Sequence, residues 1–184
     1  MEQRLYRRLH LLVVTSEPTA ERLVTDAGVD RARVAVVVPG TDDAPRCTGS
    51  GGPGCAILSL GTLVPRKGHD VLLRALARLF DLDWHLTIAG SPRRNPAHAE
   101  SLVALTEELG IADRVRFAGE VTGDALETLW HGTDLFVLAT WFEGYGMAVA
   151  EALKRGLPVA VCSGGAAATL VEPEAAPSKP RSTV

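Results

Sequence analysis

Long apolar runs are missing from this sequence. None reaches the roughly 18 residues that a membrane-spanning helix needs. The N-terminal stretch "MEQRLYRRLHLLVV" is basic and then apolar, but Leu11 to Val14 is too short for a signal core. No small-residue cleavage site follows it closely, so a secretory signal is set aside. Arg4, Arg7 and Arg8 beside Leu5 and Leu9 leave open a basic helix on a membrane surface. A solvated helix face is the commoner meaning of such a pattern. Cysteine is scarce as well. Cys47, Cys55 and Cys162 have no Cys-x-x-Cys spacing and form an odd set. That fits reduced thiols in the cytosol, used as small hydrophobes, better than a disulfide framework. There is no basic excess, since 19 Lys and Arg face 22 Asp and Glu for a net charge of −3. Without a basic stripe interleaved with aromatics, nucleic acid is not an expected partner.

Several site motifs are absent too. No G-x-x-x-x-G-K-[ST] phosphate loop occurs, and no G-x-G-x-x-G follows a strand and opens a helix. "GSGGPG" lies before its strand. His10, His69, His85, His98 and His131 show no ligand spacing, so no protein-bound metal is expected, and His69 and His131 read as structural. No Ser-His-Asp order with a nucleophile elbow is visible.

What the sequence does have is rhythm. Short apolar runs alternate with longer amphipathic patterns. "HLLVV" reads as a strand ending at Thr15. Ser16 caps a helix that has Pro18 in its first turn and ends near Gly28. "RVAVVV" (33–38) is a strand. Residues 39–54 are dense in Gly, Pro, Asp and Ser and read as a linker, with 46–54 its flexible part. Strands then follow at 55–60, 84–90, 114–119, 134–140 and 157–163. Helices are expected at 69–80, from the 91–97 loop to Gly110, at 124–131 and at 146–155, with a last short one after Gly165. Nearly continuous apolar strands between helices indicate a parallel sheet covered on both faces. Right-handed crossovers make it a Rossmann-like, doubly wound α/β fold. The Pro/Ala/Ser-rich end, 173–184, is expected to fray.

In such a sheet, ligands bind at the carboxyl ends of the strands. The loops Gly61 to Gly68, Gly90 onward and Glu143 to Gly146 leave such ends with glycines. Glycine lets backbone N–H groups approach a ligand, and a helix N-terminus favours negative charge. "GYGM" opening a helix therefore suits phosphate. Lys67 would add a cation and Arg66 a forked contact. Glu143 and Glu151 flank this loop, eight positions apart. Glu100 and Glu108 have the same spacing inside one continuous helix, so spacing alone carries nothing. Two anions beside a phosphate need hydroxyls to meet. Glu151 would take a ribose diol, and Glu143 a polyol beyond the phosphates. Together these describe a nucleotide sugar. Solvated surface charges are the alternative at this point.

In order, "SLGTLVPRKGHDVLLRAL", "LTIAG", "RVRFAGEV", "DLFVLATWFEGYGMAVAEALKRGLPVAV" and "SGGAAATLVEP" resemble the donor-binding C-terminal domain of retaining GT-B glycosyltransferases, group 1 or family 4. The resemblance covers 55–172. It implies that 1–45 is the end of an acceptor domain with the interdomain linker. It matches Glu143 and Glu151 to the family's E-x7-E pair, Glu143 at the reacting face and Glu151 on the ribose. Gly144, Tyr145 and Gly146 match the loop that meets the diphosphate, and Lys67 the lysine that neutralises it. Gly119 to Val121 match the backbone beside the nucleobase. The implied reaction is hexosyl transfer with retention from a nucleoside-diphosphate sugar, without metal or other cofactor, by attack on the face the diphosphate leaves. Where many members have arginine after Gly61, this chain has Thr62, so Arg66 is the arginine left to serve. Most of the acceptor domain, and the strand and helix that complete the donor domain, are expected to be absent. That leaves a second possibility, a nucleotide-sugar-binding module that depends on a separate acceptor-domain chain. Self-association near Leu5, Leu9 and Leu12 is a further expectation. An NAD enzyme would need the fingerprint that is missing. Which nucleotide, UDP, GDP or ADP, stays open.

Overall fold

A computed structural model describes residues 5–6 and 8–171 of the chain. The tail expected over 173–184, and Arg4 and Arg7 of the basic stretch, lie outside the described residues.

The first unit is small. β1 (Leu12–Val14) and β2 (Val34–Val36) pair in parallel, joined by α1 (Glu17–Ala27). Ser16 Oγ accepts from the Thr19 amide and so caps α1, and Gly28 in the left-handed region ends it. Leu12, Ala20, Val29 and Val34 form its core. The other face is bare: Leu11, Val13, Val37 and Val38 are each more than half exposed.

Residues 37–54 hold neither helix nor strand. Part of this stretch is tied to the main domain. The Cys47 amide donates to Arg155 O at 3.0 Å. The Asp134 carboxylate accepts from the Ser50 amide at 2.9 Å, from Ser50 Oγ at 2.7 Å and from the Ala56 amide at 2.8 Å. A carboxylate that faces protein needs such donors.

The main sheet has five parallel strands: β3 (Cys55–Leu60), β4 (Trp84–Ala89), β5 (Val115–Gly119), β6 (Leu135–Leu138) and β7 (Val159–Val161). Their spatial order is β5-β4-β3-β6-β7. The connecting helices are α2 (His69–Ala77), α3 (Pro96–Glu108), α4 (Gly123–His131) and α5 (Met147–Lys154). Side chains alternate along β3 and feed two cores. Ile57 packs with Leu72, Leu73, Leu76, Leu102 and Leu105 from α2 and α3. Leu58 packs with Trp130, Phe136, Val149 and Ala152 on the α4 and α5 side. On β4, Trp84, Leu86 and Ile88 are buried while His85 is exposed. The expectation of a doubly wound α/β sheet holds, with the second face open toward the β4–β5 edge.

Several elements are shorter than their apolar runs. β6 keeps four residues and β7 three, because β7 is an edge strand paired only to β6 over Phe136–Leu138. α2 stops at Ala77, where tight bonds from Arg78 N to Ala75 O and from Leu79 N to Leu76 O close its last turn. The short helix after Gly165 is a 3-10 turn, Ala166–Leu170.

Ile88 sits at 0% exposure between α2 and α3. Truncating a buried Ile leaves a cavity as well as losing transfer energy. Ile88→Ala should cost about 2–5 kcal/mol in urea unfolding, whereas Val103→Ala, on an exposed position, should cost well under that.

Candidate functional site

The strand order reverses at β3. From β3 the chain crosses to β4 and β5 on one side, then returns to β6 and β7 on the other. The loops leaving β3 and β6 therefore part company and open a crevice at their carboxyl ends. The β3 loop carries a 3-10 turn, Pro65–Lys67. The β6 loop runs from Ala139 to Gly146, the N-cap of α5.

The two loops are tied together. Arg66 O accepts from the Trp141 amide at 3.0 Å and from Thr140 Oγ1 at 3.1 Å. Arg66 Nη1 donates to Phe142 O at 2.5 Å. Gly68 makes the approach possible. Its φ is +63°, and a Cβ there would stand 2.0 Å from Ala139 O. His69 follows, buried at the start of α2. Burial lowers its pKa to about 4, outweighing the backbone contact that favours its charge. It is therefore neutral at pH 7 and donates from Nε2 to Gly61 O, 3.3 Å away.

In the crevice, Lys67 Nζ lies 2.5 Å from Glu143 Oε1, with side chains only 15% and 12% exposed. Arg66 Nη1 is 3.5 Å from the same oxygen and half exposed. A pair so little exposed is less screened by water than a surface bridge. Gly61, Thr62, Arg66, Lys67, Glu143, Tyr145, Gly146 and Glu151 all line one cleft of about 560 Å³. Gly146 opens α5 with no side-chain cap, so the positive end of that helix faces the cleft without a protein anion of its own. The cleft thus brings two cations, a helix N-terminus and two carboxylates to one place. Such a set can hold a phosphorylated, hydroxyl-bearing molecule. Among the described residues no group of three or more His, Cys, Asp or Glu could hold a metal ion.

Gly144 lies beside the cleft, with its carbonyl turned toward α1. Gly119 and Val121 are placed elsewhere. Gly119 O accepts from the Gly90 amide at 2.7 Å, and Val121 lines a separate groove with Glu120 and Thr122. Leu60, Leu138, Met147 and Ala148 also line the cleft without having been anticipated, and so do two residues from further off, Thr15 at the end of β1 and Pro39 after β2. These last two belong to the first unit, and no local pattern marks them as site residues.

Glu151 stands on the wall between the cleft and a smaller cavity of about 300 Å³ that Asp42, Glu127 and Arg155 also line. Burial pushes its pKa up. Arg155 works against this, while Glu127 and Asp42 add to it. Its charge is therefore disfavoured in the folded chain. The folded pKa lies above the unfolded one, so ionised Glu151 costs stability above the folded pKa and nothing below the unfolded one. Glu151→Gln should raise the melting temperature at pH 7, and the gain should vanish as pH falls below the ordinary glutamate range. Thermal melts of both proteins across pH 3 to 8 check this.

Cleft and sheet together define a Rossmann-like α/β domain with a crevice lined by Lys67, Arg66, Glu143 and Glu151 at its switch point. Residues 49–176 match the family model of glycosyl transferases group 1. Among curated relatives, the chain is 33% identical over 175 residues to D-inositol 3-phosphate glycosyltransferase of Mycolicibacterium smegmatis, covering 89% of this chain and 40% of that protein. It is 28% identical to mannosylfructose-phosphate synthase of Agrobacterium fabrum, covering 85% of this chain and 38% of that one. Among solved structures, HepE of Anabaena in complex with UDP-glucose superposes with a TM-score of 0.81 at 21% identity, over 94% of this chain and 52% of that one. The chain belongs to the group 1 glycosyltransferases, and its fold is that of their GT-B members. It spans about 40% of the length of the curated relatives it matches.

Proposed function

We propose that this chain is the donor-binding half of a glycosyltransferase, holding a nucleoside-diphosphate sugar in the cleft between β3 and β6. The observation that carries the reading is the convergence of Lys67, Arg66 and the uncapped α5 N-terminus on the same space as Glu143 and Glu151. A diphosphate would lie against Lys67, Arg66 and the backbone of Gly144, Tyr145 and Gly146. To do so it must draw Lys67 away from Glu143, which is then free to meet hydroxyls of the donor sugar. Glu151 would accept from the ribose diol. Its raised pKa supports that role, because two hydroxyl donors relieve an anion that the fold solvates poorly. In this reading the base would extend out of the cleft toward the backbone of Gly119 to Val121, which lies at a separate groove, with Gly61 and Thr62 closing the phosphate side.

The reaction proposed is hexosyl transfer with retention. Charge growing on the departing diphosphate would be met by Lys67, Arg66 and the α5 amides, all in place before the bond breaks. The same diphosphate would take the proton of the attacking hydroxyl. No metal enters this scheme. The chain's own groups supply the positive charge. A cytoplasmic location belongs to the reading, in keeping with three unpaired thiols. Among the described residues, no helix is long and apolar enough to cross a membrane.

A second reading is favoured by one feature. The bare face of the first unit exposes Leu11, Val13, Val37 and Val38. In this reading the chain binds the nucleotide sugar and catalyses only when a separate acceptor-side chain, or a second copy, covers that face.

Calorimetric titration with UDP, GDP, ADP and NAD, in the presence of a chelator, tests the donor site. One nucleoside diphosphate should bind and NAD should not. Glu151→Ala should weaken that binding roughly fivefold to a hundredfold, the cost of losing paired hydroxyl contacts. Glu108→Ala, on the exposed side of α3, should leave it unchanged. Equal effects of the two substitutions would sink the assignment.

A further inference from the structure

The loop that carries Glu143 is held from two sides. Behind it, the Glu143 amide donates to Gly164 O at 3.3 Å, and Glu143 O accepts from the Ala166 amide at 2.8 Å. In front, three hydroxyls of the first unit converge on a single atom, the carbonyl oxygen of Gly144. Ser16 Oγ is 2.5 Å from it, Thr19 Oγ1 3.1 Å and Thr15 Oγ1 3.2 Å. These contacts join residues 125 to 129 positions apart. Arg22 of α1 stacks over the Phe142 ring at 4.5 Å, on the same loop.

One carbonyl offers two lone pairs, so three hydroxyls are more than it needs. Ser16 has a second partner, Thr19 Oγ1 at 3.0 Å, and its single proton serves one or the other. The surplus keeps the carbonyl engaged whichever hydroxyl turns away. The N-terminus of α1 adds its partial positive charge at the same spot. This concentration matters because of what it holds. Gly144 and Gly146 flank Tyr145, and glycines have the widest backbone freedom to lose. Left alone, the 144–145 peptide can flip. Pinned at Gly144 O, it fixes the backbone one residue after Glu143 and two before the residue that opens α5.

We propose that Thr15, Ser16 and Thr19 are positioning residues that act through Gly144 to set the loop bearing Glu143. The order of the donor cleft is then a joint product of the first unit and the main domain. A displacement of α1 would loosen the loop without touching Lys67, Arg66 or either glutamate of the cleft. That the positioned group serves the donor rests on the proposed function. The anchoring of the loop does not.

The test uses the full chain and Thr15→Val with Thr19→Val. Valine keeps the shape and removes the hydroxyl, and Ser16 stays to cap α1. Hydrogen exchange followed by mass spectrometry reads the loop directly. Amides from 143 to 147 should exchange several-fold faster than in the wild type, with β3 and β4 unchanged. UDP, or whichever nucleoside diphosphate the wild type binds, should lose roughly threefold to tenfold in affinity, the range for one or two hydroxyl hydrogen bonds. Thr15→Ser with Thr19→Ser should restore both. Loop exchange equal to the wild type overturns the proposal. Faster exchange spread evenly through the chain also overturns it, since the hydroxyls would then serve general stability. If the loop loosens as expected but the wild type binds no nucleoside diphosphate, the positioning stands and the donor-site reading falls.

Discussion

Everything functional in this chain depends on the divergence of two neighbouring parallel strands, β3 and β6. A parallel ladder cannot be closed by a hairpin, so each strand is returned to the same end by a helix crossing a face. β3 sends its helix to the face packed by Ile57, and β6 sends its helix to the face packed by Leu58. The loops leaving them are driven apart at the start and drawn together again further out, at Arg66 and Phe142. The space between is the cleft. Its depth is a consequence of topology, and Gly68 is the point where that topology leaves no room for a Cβ.

The electrostatics of the cleft follow from the same arrangement. Lys67 arrives on one loop and Glu143 on the other, and they pair with each other. The helix N-terminus at Gly146 is left without an anion of its own. In the proposed function, the donor's phosphates would meet the positive groups that the protein only half satisfies. Glu151 is the converse, a carboxylate placed where burial, opposed by Arg155 and aided by Glu127 and Asp42, disfavours its charge. The two glutamates thus sit in opposite environments, one paired with a cation and one in want of donors. In the proposed function that difference separates their tasks.

The first unit is more than a neighbour. It lends Thr15 and Pro39 to the cleft wall and three hydroxyls to Gly144. It also leaves an apolar face uncovered. A group 1 glycosyltransferase that spans about 40% of its relatives' length carries both the donor-side groups and the surface against which an acceptor side would rest in the proposed reading.

Much of this was legible beforehand. Apolar runs with helical patterns between them announced a parallel α/β sheet, and Ser16 and Gly28 marked the ends of α1 as they stand. Element ends were less legible. The runs at 134–140 and 157–163 outlast β6 and β7, because a strand is only as long as the partner it pairs with. Residues 46–54 look unable to bury anything, yet they hold Asp134, whose need for donors shows only once β6 is placed. By itself the sequence determined the period of burial, the caps, and which residue types lie in glycine-rich loops at strand ends. These are local properties, written within a few positions of each residue. Only the tertiary structure decided that Lys67 meets Glu143 across 76 positions, that Glu151 sits among acids, and that Thr15, Ser16 and Thr19 reach Gly144. Such contacts depend on strand order and on the faces the crossovers take. No periodicity along the chain encodes which distant loop will be its neighbour.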